Sequence, residues 1–184
     1  MPRLAGDRYD VIVAGGGVAA GACVSTLREG GYDGTIAVAC AEPHPPYTRP
    51  GLTKQVLRGE KPADAALWRS ADWYREQSVA LLTGTRARGI DSSTRRIELD
   101  GRAATYGSLV LATGAEPRRL DFGPAAAGRV HVLRSFADAD GIRPLLGEGT
   151  RWLVVGGGFI GAEFAASAAL TGSAVVLVMP QDVI

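Results

Sequence analysis

Two glycine-spaced stretches hold the residues best suited to chemistry in this chain. Tyr9 to Gly21 reads YDVIVAGGGVAAG, and Arg151 to Glu163 reads RWLVVGGGFIGAE. Each carries the G-x-G-x-x-[G/A] spacing, with Gly15, Gly17 and Ala20 in the first and Gly156, Gly158 and Gly161 in the second. At that spacing the first glycine makes a tight turn. The second lets a pyrophosphate approach the backbone, and the small third residue lets a helix pack on its strand. The N-terminus of the helix then offers free N–H groups and partial positive charge to the phosphates. One such pattern can be chance. Two, each behind its own apolar strand, point to two dinucleotide sites. The natural pairing is a flavin dinucleotide in one and a nicotinamide dinucleotide in the other.

Other reactive side chains cluster near the first pattern. Glu42 follows a second apolar strand, about where a ribose-binding carboxylate is expected, ~20 residues on. The stretch EPHPPYTRPGLTK, Glu42 to Lys54, is too rich in proline for regular helix or central strand. It nevertheless carries Tyr47, Arg49 and Lys54 at close spacing, and loops beside nucleotide sites often hold the chemistry. His44 has no second histidine nearby and is expected to be exposed, so no metal site is predicted. Cys23 and Cys40 form no CxxC pair and read as small buried residues.

These side chains must be positioned by α/β elements. The first helix is expected from Val18 to Glu29, ending at Gly30-Gly31, with strands at Tyr9–Ala14 and Thr35–Ala39 around it. Helices are predicted from Thr53 to Glu60 and from Ala63 to Gln77, the second from the spacing of Leu67, Trp68, Ala71 and Tyr74. A strand at Val79–Leu82 leads into a meander of Arg86–Ile90, Arg95–Leu99 and Arg102–Tyr106, with Asp100-Gly101 as a hairpin turn. Arginines 86, 88, 95 and 96 read as a solvated face. Strands follow at Leu109–Ala112 and Val130–Leu133. An interrupted helix spans Phe136–Leu146, and a final helix, Phe159–Leu170, precedes a strand at Ala174–Val178.

The composition is that of an ordinary globular chain: 184 residues, 46% hydrophobic, 21% charged, net charge +1. No basic face is evident, so nucleic acid is not an expected partner. No apolar run reaches ~18 residues, so no membrane span is expected. Met1 to Arg8 reads as a loose leader without a signal-peptide layout, and a cytoplasmic location is expected.

With these residues in view, the chain from Tyr9 onward resembles the N-terminal part of the FAD-dependent pyridine nucleotide-disulfide oxidoreductases. Within them it is most similar to the ferredoxin and rubredoxin reductase branch. The segments that carry the likeness are VIVAGGGVAAG, AEPHPPYTRPGLTK, LVLATGAEPR, HVLRS and VVGGGFIGAE, in that order. The resemblance implies an α/β fold of FAD/NAD(P)-binding Rossmann-like βαβ units with a β meander, the second unit incomplete. Residues 1–120 would bind FAD, 121–150 would cross over, and 151–184 would begin the NAD(P)-binding unit. FAD would lie on Gly15, Gly17, Ala19 and Ala20, with Glu42 on its ribose. Arg49 and Lys54 would approach its phosphates and flavin, and backbone at Ala87 its adenine. Thr113-Gly114 would close over it, and Arg134 would lie nearby. NAD(P)H would lie on Gly156, Gly158, Phe159, Ile160 and Gly161. Glu163 would pair with Lys54, and the two are the expected catalytic residues, Lys54 stabilising negative charge on the reduced flavin. The cofactors implied are FAD and NAD(P)H, and the implied partner is a ferredoxin-like iron–sulfur protein.

The disulfide reductases of this superfamily carry CxxxxC where this chain has RPGLTK, and no cysteine follows Cys40 here. Electrons would therefore leave the flavin directly, to an iron–sulfur protein, a quinone or oxygen. An NADH oxidase or quinone reductase, or a non-catalytic flavin-binding module, are the alternative functions. Gly51 and Thr53 stand where the family loop has proline and serine. Ala41 stands where the ribose acid often sits, and Met179 where an acid that binds the NADH 2′-hydroxyl is usual, with Asp182 as a substitute. The choice between NADH and NADPH stays open. Ala174–Val178 is expected to be an uncovered apolar edge, hidden by self-association or by a further C-terminal segment.

Overall fold

The computed structural model describes residues 8–179 except Arg119, Asp121 and Ala127. The expected leader up to residue 7 and the substitute acid Asp182 lie outside the described residues. The chain divides into two compact units. The first takes the chain through Thr48 together with Leu67–Ala115; the second takes Arg49–Ala66 with the chain from Glu116 onward.

In the first unit, β1 (Arg8–Ala14), α1 (Val18–Glu29) and β2 (Ile36–Cys40) form a βαβ motif. β2 is apolar and buried at every position, as befits a parallel strand covered on both faces. β3 (Val79–Thr83) pairs parallel to β2. β4 (Ala87–Asp91), β5 (Arg96–Leu99) and the start of β6 (Arg102–Leu111) form the meander, and the rest of β6 runs parallel to β1. The strand order is β3-β2-β1-β6-β5-β4. Alternation along the strands builds two cores. Val11, Val13, Val38 and Cys40 pack with Ala20 and Val24 of α1 and Tyr74 of α2 (Ala71–Glu76). Ile12, Ala14, Ala37 and Ala39 pack with Ile97, Leu99 and Ala104, so the meander covers the other face.

In the second unit, a 3-10 turn at Pro50–Thr53 precedes α3 (Phe136–Ile142), which starts at a Ser135/Asp138 capping box. β7 (Arg151–Val155), α4 (Phe159–Leu170) and β8 (Ala174–Val178) form the second βαβ motif. Val154, Phe164 and Ala168 are buried between sheet and helix, with Trp152 edge-on to Phe164 at 5.1 Å. On the opposite sheet face Leu153, Val155, Val176 and Val178 are exposed, at 64%, 52%, 61% and 48%. Among the described residues, no helix is long and apolar enough to cross a membrane.

Several expected elements differ. Residues 54–59 form hydrogen-bonded turns and not a helix. The Val56 and Leu57 carbonyls accept hydrogen bonds from the Arg143 guanidinium, which replaces helical N–H donors. The helix expected over Ala63–Gln77 is a 3-10 turn at Ala63–Ala66 and then α2. Leu67 is drawn into an antiparallel bridge with Tyr47, and Ser70 caps α2 by accepting from the Trp73 N–H. Arg102–Tyr106 and Leu109–Ala112 are one strand, β6. Gly107 does not break it; a Cβ there would lie 2.8 Å from the Asp10 carbonyl oxygen, so the glycine permits a close approach to β1. Val130–Leu133 is not a strand; in the second unit β7 and β8 pair only with each other among the described residues. Cys40 is buried, but Cys23 is only partly so, and His44 is half-buried where exposure is expected. The hairpin at Asp100-Gly101 forms with positive φ at both residues, 49° and 79°. The four meander arginines are exposed.

Candidate functional site

In the first unit, the sheet gathers the predicted residues at one end. Ala14 of β1 is level with Ala39 of β2 and Leu111 of β6. Just past that line, Gly15 donates its N–H to the Ala39 carbonyl, and Ala112 donates to the Ala14 carbonyl. The Gly15–Gly17 turn, Glu42 and Thr113-Gly114 thus all leave the carboxyl ends of adjacent strands, where ligands bind in open α/β sheets. Ala87 begins β4 and packs beside the core cluster that includes Ala14, Ala39 and Leu82. A larger hollow, about 720 Å³, is lined by Arg8, Thr35, Arg75 and Val79 but by no fingerprint residue. The carboxyl-end cradle is the better candidate, because it carries the free helix terminus.

The two invariant-spacing glycines of this turn differ in what demands them. Gly15 has φ +145°, and a Cβ on it would lie 2.0 Å from the Ala112 carbonyl oxygen, so the fold itself requires glycine. Gly17 has φ −100° and ψ −175°, ordinary extended backbone, and a Cβ there would meet nothing within 4 Å. No protein neighbour explains the missing side chain at Gly17. Gly17 is also the N-cap of α1, which has no side-chain cap and no acidic residue in its first turn. Ala19 is exposed on that turn, and Ala20 is fully buried where the helix meets the strand. This cradle fits a pyrophosphate.

Glu42 is oriented by Tyr47, whose buried hydroxyl donates to Oε2 at 2.6 Å. Cys40 lies beneath the turn with its thiol 3.6 Å from the Gly15 carbonyl. Burial, aided by the Glu42 charge, pushes this thiol up to about 12, so it stays protonated and unreactive at neutral pH. The sequence gives no hint of one support: a Cβ at Gly21 would lie 2.6 Å from the Trp68 indole, whose Nε1–H donates to Ser25 Oγ at 3.0 Å. Trp68 is therefore a prop for α1 and not part of a helical core face.

In the second unit, the second fingerprint repeats the pattern. Gly158 caps α4 with φ −70° and ψ 176° and open space where a Cβ would be. A Cβ at Gly161 would meet the Gly156 carbonyl oxygen at 2.0 Å, so there the turn closes on the helix. Phe159 and Ile160 are exposed, at 89% and 53%, at the start of α4. They line a cavity of about 330 Å³ with Arg49, Leu133, Arg134 and Glu163. Arg49 Nη1 donates to the Arg134 carbonyl at 2.6 Å. Arg134 donates its own backbone N–H to Asp138 Oδ2, so its position is tied to the α3 cap.

The expected Lys54–Glu163 pair is present, with Nζ 2.6 Å from Oε2. Both residues belong to the second compact unit, because the loop Arg49–Ala66 groups there. Lys54 also donates to the Pro50 carbonyl at 3.3 Å. The Thr53 hydroxyl donates to the same Glu163 oxygen at 2.5 Å. Hydrogen bonds from Lys54 first, and from Thr53 second, hold the Glu163 carboxyl below the usual glutamate range. The side chains are 43% and 31% exposed, so the large penalty for breaking a buried pair does not apply. Lys54→Met is expected to cost on the order of 1 kcal/mol or less, as for solvated pairs. Urea unfolding checks this, and a loss above ~3 kcal/mol, the range for a buried pair, would show the pair to be effectively dry.

A sequence model described as pyridine nucleotide-disulphide oxidoreductase matches residues 9–184. The chain belongs to that family. Among its relatives, a ferredoxin–NAD(P)(+) reductase of a Sphingomonas species is 37% identical over 95% of this chain and 42% of its own length. The ferredoxin–NAD(+) reductase component of a Pseudomonas putida p-cumate 2,3-dioxygenase system is 39% identical over 96% of this chain and 44% of its own. In the crystal structure of a covalent putidaredoxin reductase–putidaredoxin complex, 92% of this chain aligns on 42% of the solved chain, with a TM-score of 0.84 and 36% identity. The chain thus spans less than half the length of these relatives. Within the pyridine nucleotide-disulphide oxidoreductases its likeness is to the ferredoxin reductase branch. Both of its cysteines are free; they belong to α1 and β2, and the loop that carries Lys54 contains none.

Proposed function

We propose that this chain serves in an FAD-dependent NAD(P)H oxidoreductase that passes electrons to a ferredoxin-like iron–sulfur protein. The observation that carries the reading is the pair of glycines, Gly17 and Gly158, whose backbone is ordinary and whose missing side chains leave open space. Each sits at an uncapped helix start, the arrangement that a pyrophosphate completes. The likeness to reductases of dioxygenase systems supports the acceptor class. So does the RPGLTK loop, which holds no cysteine where the disulfide reductases of the superfamily carry CxxxxC.

The chemistry that FAD supplies when bound is acceptance of a hydride from NAD(P)H and onward release of single electrons. The chain's own residues bind and orient. Backbone N–H groups around Gly15, Gly17 and Ala19 take the FAD pyrophosphate, and Glu42, held by Tyr47, accepts from a ribose hydroxyl. On the family resemblance, Ala87, Thr113, Gly114, Arg49 and Arg134 are assigned to FAD as well. The turn Gly156–Gly161, with Phe159 and Ile160, takes the nicotinamide dinucleotide. Lys54 supplies a positive charge whose place is set by ionised Glu163.

Titrating the purified chain with FAD, read by quenching of flavin fluorescence, tests the first assignment. Saturable uptake of one FAD per chain is expected, with FMN binding far more weakly because it lacks the pyrophosphate-linked adenosine. Equal affinity for FMN and FAD would overturn the dinucleotide reading.

A further inference from the structure

The Lys54–Glu163 pair is fastened from behind by groups that no motif marks. Glu163 and Ser167 are one turn apart on α4, so both face the loop that carries Lys54. Ser167 is 1% exposed and Thr53 4%. The Ser167 hydroxyl donates to the Thr53 carbonyl at 2.6 Å and accepts from Arg58 Nη1 at 2.8 Å. The Arg58 guanidinium is itself held by Glu60, through Nε at 2.6 Å and Nη2 at 2.8 Å. Donor directions follow without conflict. Arg58 can only donate, so it occupies an acceptor lone pair of Ser167 and leaves the one hydroxyl hydrogen for the Thr53 carbonyl.

That carbonyl belongs to the peptide unit from which Lys54 springs. We infer that Ser167 is a positioning residue that clamps the Thr53–Lys54 peptide while Glu163, one turn earlier on α4, holds the Lys54 amine. One helix thereby fixes both ends of the lysine, and the Thr53 hydroxyl ties the two attachments together through Glu163. The lowered Glu163 carboxyl accords with two donors converging on one oxygen. Arg58 keeps Ser167 from turning away. This inference rests on the proposed role of Lys54, but its test does not need a cofactor.

The experiment is a carbon-13 titration of the glutamate carboxyls in the 184-residue chain, with Glu163→Gln to assign the resonance. Wild type is expected to titrate Glu163 below an ordinary glutamate. In Ser167→Ala the midpoint is expected to move up toward the ordinary value, and in Ser167→Thr, which keeps the hydroxyl, to return. Arg58→Gln attacks the same clamp from outside the helix and is expected to shift the midpoint in the same direction. It serves if Ser167→Ala does not fold. A folded Ser167→Ala or Arg58→Gln chain whose Glu163 midpoint matches wild type would overturn the inference. So would a shift that Ser167→Thr fails to reverse. A chain that shows these shifts yet takes up no FAD would overturn the proposed function and leave the clamp standing.

Discussion

Gly17→Val is expected to weaken FAD uptake by on the order of 100-fold or more, about 2.7 kcal/mol. The apo fold should be nearly unaffected. The argument depends on what surrounds the position. Gly17 already has extended backbone, which valine adopts readily, and no protein atom would touch a new Cβ. The cost to the apo chain is that of a poor helix cap relative to glycine, about 1 kcal/mol. The same side chain would fill the space through which a pyrophosphate reaches the N–H groups of α1. Gly15→Ala is the contrasting control. Its Cβ would lie 2.0 Å from the Ala112 carbonyl oxygen and its φ is +145°, so it should destabilise the chain whether or not a ligand is present. Denaturant unfolding of the apo proteins and FAD titration together separate the two. A Gly17→Val chain that purifies as yellow as wild type would end the assignment of FAD to this turn.

The 184-residue chain, expressed and reconstituted by itself, is expected to self-associate and to show NAD(P)H–ferricyanide turnover below the ordinary enzyme range of about 1–1000 per second. The cause lies in the β7–β8 sheet. α4 covers one face of its two strands, while Leu153, Val155, Val176 and Val178 present a contiguous apolar surface on the other. Parallel sheets are stable when both faces are covered, and two strands form too small a sheet to stand uncovered. A second copy offers the same surface and the same strand edges. Loss of a defined second fingerprint would then leave the nicotinamide dinucleotide without a fixed seat. Sedimentation velocity with a parallel activity assay decides it. A monomer with tight FAD and turnover in the ordinary range would refute the expectation. Replacing Leu153 and Val176 by threonine should lower the association if this face is its cause.

Much of the framework could be read from residue order. Val18–Glu29 and Phe159–Leu170 are helices with the expected ends, because each follows a glycine turn that leaves little choice of start. The misread regions share a cause. Leu67, Trp68, Ala71 and Tyr74 have helical spacing, yet Leu67 bridges Tyr47 and Trp68 packs on Gly21, both contacts with distant sequence. Apolar spacing records burial and does not say which partner does the burying. The strand expected to end at Tyr106 runs on through Gly107, which serves a close backbone approach that only pairing with β1 reveals. Lys54 and Glu163 were accessible through family motifs. Thr53 was marked only as a departure from the family loop, and Arg58 and Ser167 were not marked at all, since the hydrogen bonds of these three join positions about 110 residues apart, and serine and threonine at such separations carry no local signature.

β6 has a consequence for how the nucleotide cradle comes into being. The meander half of this strand is closed by a two-residue turn, a contact that a chain finds in about 1–10 μs. Its parallel half meets β1 about a hundred residues away in sequence, with Tyr9 level with Tyr106, and loop-closure entropy opposes that meeting until many other contacts repay it. Gly15 acquires its neighbour Ala112 only when this pairing is complete. The glycine fingerprint is therefore not a self-contained peptide motif. Its shape is held by the most distant strand pairing in its unit, so the cradle exists only once the whole unit has condensed.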